Sequence, residues 1–205
     1  MQCATRLWER ALVTGSSGNV SARLGDGDIL ITPSGASLER LTPEAVVRVA
    51  PNGAPRNPVE IPSSELPLHL AAYRARDDAA VLVHSHPTYL VLWSTFGRLF
   101  PRETVGARES LGDLAWVPYA PPGSERLAEM SAEAFTRGVA LILMERHGLS
   151  CIANDLERAF LLTDLAEEAA RVAYFAELAS FRTEEQGKPE SCGEGRGMPP
   201  HRSIR

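Results

Sequence analysis

Two histidines two residues apart, His84 and His86, close an apolar run, Ala79 to His86 (AAVLVHSH), that Pro87 terminates. Successive side chains of a strand leave on opposite faces, so positions i and i+2 send both imidazoles to the same side, which is ligand geometry. A pair of this kind is equally compatible with two solvent-exposed strand histidines, and spacing by itself leaves the two readings level. Location favours a metal. Val81-Leu82-Val83 leads straight into His84, which puts the pair at the end of a buried strand, where sites gather in α/β proteins. His147 closes a second apolar run, Leu141-Ile142-Leu143-Met144, and Gly148 behind it permits a sharp turn. Three histidines with one open position make the donor set of a catalytic zinc site.

Glu65 follows Ser63 and Ser64 at a predicted helix start, where the first backbone N–H groups are unpaired and bind anions such as phosphate. Taken in isolation it reads as a first-turn glutamate favoured by the helix dipole. Two other small-residue segments, Ser17-Gly18-Asn19 and Thr32-Pro33-Ser34-Gly35, likewise read as turns when taken singly. Together the three supply hydroxyls, amides and glycines that let backbone approach a ligand closely, which suits phosphate in a chain of negative net charge. His69, four residues after Glu65 on the same helix face, reads as a partly buried packing or hydrogen-bonding histidine, and His201 as a solvated one. His84-Ser85-His86-Pro87 also opens the motif of metalloisopeptidases that remove ubiquitin-like modifiers. Its later serine and aspartate ligand fall here at Thr95 and Arg98, and a guanidinium cannot replace a carboxylate ligand.

These residues need elements to hold them. The Gly-rich loop Thr14 to Ser21 leads through Gly25-Asp26-Gly27 into a strand, Ile29 to Thr32, and a second strand is predicted over Ala45 to Ala50. A helix starting at Ser63-Ser64-Glu65 carries Leu66, Leu70 and Tyr73 inward, and another follows over Thr88 to Phe96. Further strands are read over Ala115 to Tyr119, Val139 to Met144 and Leu149 to Ala153. Ser124 caps a helix to about Thr136, and Asn154 or Asp155 caps the longest helix, which ends near Phe181. The result is one domain over residues 1–181 with a mixed sheet layered between helices. From Arg182 to Arg205 large apolar residues are almost absent, and a disordered tail is expected. The chain has 205 residues, 44% of them apolar, enough for one substantial core. A net charge of -5 argues against nucleic acid as a partner. No apolar run approaches the roughly 20 residues that span a bilayer, so no membrane role is expected. Three scattered cysteines, Cys3, Cys151 and Cys192, fit a reducing, cytoplasmic setting, with Cys151 simply packed.

The ordered series GSSGNVSAR, ILITPSG, IPSSELPLH, VLVHSHP, VPYAPPGS and RHGL resembles the class II aldolase and adducin family over about Leu12 to Leu178. The resemblance implies a three-layer α/β/α fold around a mixed, largely antiparallel sheet, and usually a homotetramer with sites at subunit boundaries. It matches His84, His86 and His147 to the ligands of one Zn2+ per chain and Glu65 to the catalytic acid/base. Gly18, Asn19, Ser34, Gly35, Ser63 and Ser64 match positions that cradle substrate phosphate. The implied activity is that of an aldehyde-lyase of the fuculose-phosphate aldolase kind, cleaving a small phosphorylated ketose to an aldehyde and dihydroxyacetone phosphate through a metal-stabilised enediolate. Dehydration of a methylthioribulose-phosphate-type substrate and sugar-phosphate epimerisation use the same scaffold. The family's epimerases tend to carry aspartate where Glu65 stands, and adducin-like interaction modules lack the zinc histidines. The family's aldolases usually bring in a tyrosine from a neighbouring subunit, whereas the corresponding stretch here, Arg102 to Ser110, has none. Tyr119 is a substitute or a packing residue.

Overall fold

The apolar runs form strands buried on both faces, and the small-residue segments form the turns at their ends. The computed structural model describes residues 2–186, with side chains through 181. In chain order the regular elements are α1 (Gln2–Glu9), β1 (Asn19–Arg23), β2 (Ile29–Ile31), β3 (Val47–Val49), α2 (Leu66–Ala75), β4 (Val81–Ser85) and α3 (Thr88–Thr95). They continue with α4 (Val105–Ser110), β5 (Leu114–Val117), α5 (Glu125–Thr136), β6 (Leu141–Met144), β7 (Gly148–Ala153) and α6 (Leu156–Gln186). The strands make one seven-stranded sheet in the order β3-β2-β1-β4-β7-β6-β5. Among the described strands only β5 and β6 pair in parallel; every other neighbouring pair is antiparallel. The mixed, largely antiparallel sheet is therefore as expected.

Alternation along the central strands divides the interior in two. Val81, Val83, Leu141, Leu143, Leu149 and Cys151 face α1, α3, α4 and α6 in one core. Leu82, Ile142, Met144 and Ile152 face α2 and α5 in the other. Covering both faces makes three layers, and it explains why these strands read as unbroken apolar runs. Trp93 is fully buried in the first core, and its indole N–H donates to the Ala170 carbonyl at 2.8 Å, fastening α3 to α6.

Four departures from the sequence reading have physical causes. Asn19–Arg23, placed in and after the Gly-rich loop, is a strand; its buried face carries polar Asn19 and Ser21, which hides the usual alternation. β3 is confined to Val47–Val49 because Pro43–Ala45 forms a 3-10 turn, and proline cannot donate to a ladder. α4 has no counterpart among the predicted elements; Thr104 caps it, accepting from the Ala107 N–H at 3.2 Å. α6 continues to Gln186, beyond Phe181, through Glu and Gln residues that favour helix without needing burial. The rest of the expected tail, residues 187–205 with Cys192 and His201, lies outside the described residues. Ser124 and Asp155 cap α5 and α6 as read, accepting from Leu127 and Arg158 N–H groups. Cys151 is fully buried. Among the described residues no helix is long and apolar enough to cross a membrane.

Candidate metal centre

Antiparallel pairing brings distant sequence positions to one end of the sheet. Asn19 at the start of β1 lies opposite His84 near the end of β4, and His84 lies opposite Ser150 of β7. The β6–β7 connection, Glu145 to His147, sits beside that end, since Met144 pairs with Gly148. β4 stops at Ser85, so His86 is the first residue after the strand, yet its ring still joins that of His84. The three imidazole centroids are 4.7, 4.8 and 5.0 Å apart. Glu65, which precedes α2, completes the group: one ligand atom from each of Glu65, His84, His86 and His147 lies within 4.8 Å of all the others.

Each side chain is aimed by its surroundings. The His84 Nδ1 lies 3.1 Å from the Leu149 carbonyl and 3.1 Å from Ser150 Oγ, so Nδ1 carries the proton and the Nε2 lone pair faces the cluster. Ser150 had no signal in the sequence, because a buried serine in an apolar strand reads as filler. His147 is turned inward by a tight connection in which Arg146 takes the left-handed conformation, with φ of 55°. Gly148 must be glycine: a Cβ there would strike the Ser85 carbonyl oxygen and approach His86 Cδ2 at 2.9 Å. Gly18 is equally constrained, with φ of 76° and a Cβ position 2.9 Å from the His84 carbonyl oxygen. Glu65 Oε2 accepts from Asn19 Nδ2 at 3.0 Å and lies 2.9 Å from His84 Nε2. Its Oε1 is 3.3 Å from His147 Nε2.

Two buried polar atoms of this group, Glu65 Oε1 and His147 Nδ1, have no hydrogen-bond partner. His84 Nε2 and His86 Nε2 are 2.7 Å apart, and unprotonated lone pairs at that separation repel. Burial lowers His86 to about 3, and the His84 and His147 rings beside it act in the same direction, so it stays a neutral donor. Burial pushes the Glu65 carboxyl up, but the neighbouring His84 and His147 rings and the Asn19 amide outweigh that and hold it well below the usual carboxylate range. Three imidazole nitrogens and one carboxylate, with an orphaned oxygen among them, fit a divalent cation of the zinc type.

The small-residue segments gather at the same end. Pro33 bridges to Pro62, Ser34 N–H donates to the Ile61 carbonyl, and Ser63 N–H donates to the Thr32 carbonyl, which zips the Ser34–Gly35 turn to Ser63 and Ser64. Val20 N–H donates to Thr32 Oγ1 and joins the Gly18–Asn19 segment to them. Ser34, Gly35 and Ser64 are exposed, while Asn19 and Ser63 are buried. Gly123, with φ of 72°, lets the Pro121-Pro122 loop lie against the Ser64 carbonyl. Tyr119 is 58% exposed and so does not serve packing. Arg98 pairs with Glu177 and lies over the Trp93 ring, away from the histidines.

Against known proteins, residues 1–174 match the Class II Aldolase and Adducin N-terminal domain. The chain is 35% identical over 170 residues to the L-fuculose phosphate aldolase of Methanococcus maripaludis (strain S2 / LL), covering 82% of this chain and 90% of that protein. It is 31% identical over 179 residues to the 3-oxo-tetronate 4-phosphate decarboxylase of Haemophilus influenzae, covering 85% and 84% respectively. The crystal structure of L-fuculose-1-phosphate aldolase from Thermus thermophilus superposes with a TM-score of 0.76 at 27% identity, covering 92% of this chain and 94% of that one. A match over most of the chain, joined to a sheet order and a three-histidine cluster that assemble from scattered positions, shows that this chain belongs to the class II aldolase and adducin family.

Proposed function

We propose that the chain is a zinc-dependent aldehyde-lyase that splits a small phosphorylated ketose, represented by L-fuculose 1-phosphate, into an aldehyde and dihydroxyacetone phosphate. The observation that carries this reading is the convergence of His84, His86, His147 and Glu65, drawn from three separate parts of the fold, with ligand atoms within 4.8 Å. Zinc held by the three histidines supplies Lewis acidity toward substrate oxygens. Glu65 takes a proton from, or returns one to, the substrate carbon. Its Oε2 is occupied by Asn19, whereas Oε1 has no hydrogen-bond partner and is the oxygen available for that transfer. The exposed turn Ser34–Gly35, with Ser63, Ser64 and Gly18, holds the phosphate through hydroxyls and backbone N–H groups. Asn19 links that segment to the acid/base. In the same reading the enzyme works in the cytoplasm as a homotetramer.

A second reaction on this site is favoured by the likeness to a decarboxylase that acts on a phosphorylated oxo-tetronate. Loss of carbon dioxide and retro-aldol cleavage both break a carbon–carbon bond beside a carbonyl and leave a carbanion for Glu65 to protonate. The deciding experiment measures metal content and turnover together. Purified wild type should hold about one zinc per chain, and His84→Ala should lose it. Wild type should release dihydroxyacetone phosphate from L-fuculose 1-phosphate, and Glu65→Gln should keep the zinc while losing at least about 100-fold in kcat. Carbon dioxide from 3-oxo-tetronate 4-phosphate, with no cleavage of the ketose, selects the decarboxylase. A chain that takes up no added zinc and turns over neither substrate is an adducin-like binding module instead.

A further inference from the structure

A file of buried polar groups leads from Glu65 into the interior, away from the metal cluster. Glu65, His69 and Tyr73 stand at four-residue steps along α2 and its first turn, which places them on one stripe. Asn19 and Ser21 stand two apart on β1 and face that stripe. The two sets interlock: Asn19 Nδ2 is 3.0 Å from Glu65 Oε2, Asn19 Oδ1 is 2.5 Å from His69 Nε2, His69 Nδ1 is 2.6 Å from Ser21 Oγ, and Ser21 Oγ is 2.7 Å from Tyr73 Oη. All five residues are buried, His69 completely.

The direction of every bond in this file follows from the first. An ionised carboxylate only accepts, so Asn19 must turn its N–H toward Glu65 and its carbonyl toward His69. His69 must then donate from Nε2. A neutral imidazole has a single N–H, which leaves Nδ1 to accept from the Ser21 hydroxyl. Ser21 has no second proton, so Tyr73 donates to Ser21. Burial lowers His69 to about 3 and pushes the Tyr73 phenol up, and each therefore keeps the one proton that this order requires. The reverse order would present the Asn19 carbonyl to the Glu65 carboxylate, two acceptors face to face. An apolar residue would fill the volume of His69 but would leave the Asn19 amide free to turn.

We propose that His69 is a positioning residue for Glu65: its Nε2–H holds the Asn19 amide so that the amide donates to Glu65 Oε2, which fixes the carboxylate and keeps Oε1 as the oxygen that exchanges protons. This rests on the lyase reading of the site.

The test compares zinc-loaded wild type, His69→Leu and His69→Gln, with L-fuculose 1-phosphate as substrate and with 3-oxo-tetronate 4-phosphate beside it. His69→Leu should keep its zinc and its KM within about twofold while kcat falls about 10- to 100-fold. His69→Gln, whose side-chain amide offers an N–H near the position of Nε2, should recover most of that loss. Equal losses in both variants, a loss confined to KM, or wild-type kcat in His69→Leu would overturn the proposal. Imidazole 15N NMR of the wild type supplies a readout that needs neither turnover nor a stable variant. The Nε2–H tautomer between about pH 6 and pH 8 is expected, where neutral histidine in water ordinarily gives way to imidazolium. An Nδ1–H tautomer or an imidazolium refutes the hydrogen-bond order. Zinc-loaded wild type that cleaves neither substrate refutes the lyase reading, and the NMR result still decides the order of the file.

Discussion

Two carboxylates in this molecule are held ionised by different partners. Glu65 owes its state to the histidines and Asn19, which overcome its burial. Asp28 owes its state first to a hydrogen bond from Arg56, against burial, and then to one from Arg48, and it is held down to about 2. Arg48 Nε and Arg56 Nη2 approach it at 2.7 and 2.5 Å. Because folding lowers the Asp28 pKa, its contribution to stability is fully present above the unfolded aspartate value of about 3.9 and disappears as the pH falls through the folded value of about 2. Asp28→Asn should therefore be less stable than wild type at about pH 6, with the difference closing as the pH falls from about 4 to 2. Urea midpoints across that range measure it; a difference that stays constant with pH would mean that the Asp28 charge does not matter. At this scale the sequence was informative where spacing carries geometry: His84, His86 and Glu65 follow from strand alternation and a helix start. It was silent on the bond from Asn19 to Glu65, which joins positions 46 residues apart through a strand whose polar face resembles a loop.

At the scale of elements, the site depends on how closely the β6–β7 turn can approach the end of β4. Gly148 sets that distance, because a Cβ would occupy the space of the Ser85 carbonyl oxygen and press on His86. Gly148→Ala must move the turn outward, carrying His147 with it and shifting His86, while both hydrophobic cores remain packed. Zinc affinity should fall by about 10- to 100-fold with little change in far-UV circular dichroism. A competition titration against a chelator reads this directly, and an unchanged affinity would show that the turn has slack the packing does not reveal. Gly148 was legible as a turn residue, but its contact with β4 was not, since that follows from strand order. The start of α3 shows the same limit. Pro87 gives no side-chain cap, and the cap comes from Glu167 of α6, which accepts from the Tyr89 and Leu90 N–H groups at 2.9 and 3.0 Å. A cap supplied from 77 residues away leaves no local signature.

Across the whole molecule, the candidate ligands come from β4 and its end and from the β6–β7 turn, with Glu65 at the start of α2 beside them. An ion bound there joins elements that the sheet already holds in register. The fold does not wait for the metal, because the cores above and below the sheet contain large fully buried side chains such as Trp93, Phe135, Leu82 and Ile142. This separates the site from small structural zinc domains, in which binding energy is folding energy. An ion held there would bind the folded chain in preference to the unfolded one and so add stability by mass action, about 2.7 kcal/mol when free zinc exceeds Kd by about 100-fold. For a chain of this size each kcal/mol moves Tm by roughly 2–4 °C. Stripping zinc with a chelator should therefore lower Tm by roughly 5–10 °C and leave a cooperative transition and native circular dichroism at room temperature, with readdition restoring the original Tm. Unfolding at room temperature on chelation would mean that the two cores are insufficient and that the ion is structural. An unchanged Tm in protein shown to have lost its zinc would mean that the three histidines do not grip the ion as a preformed folded site must, and the cluster would then need another explanation than metal binding.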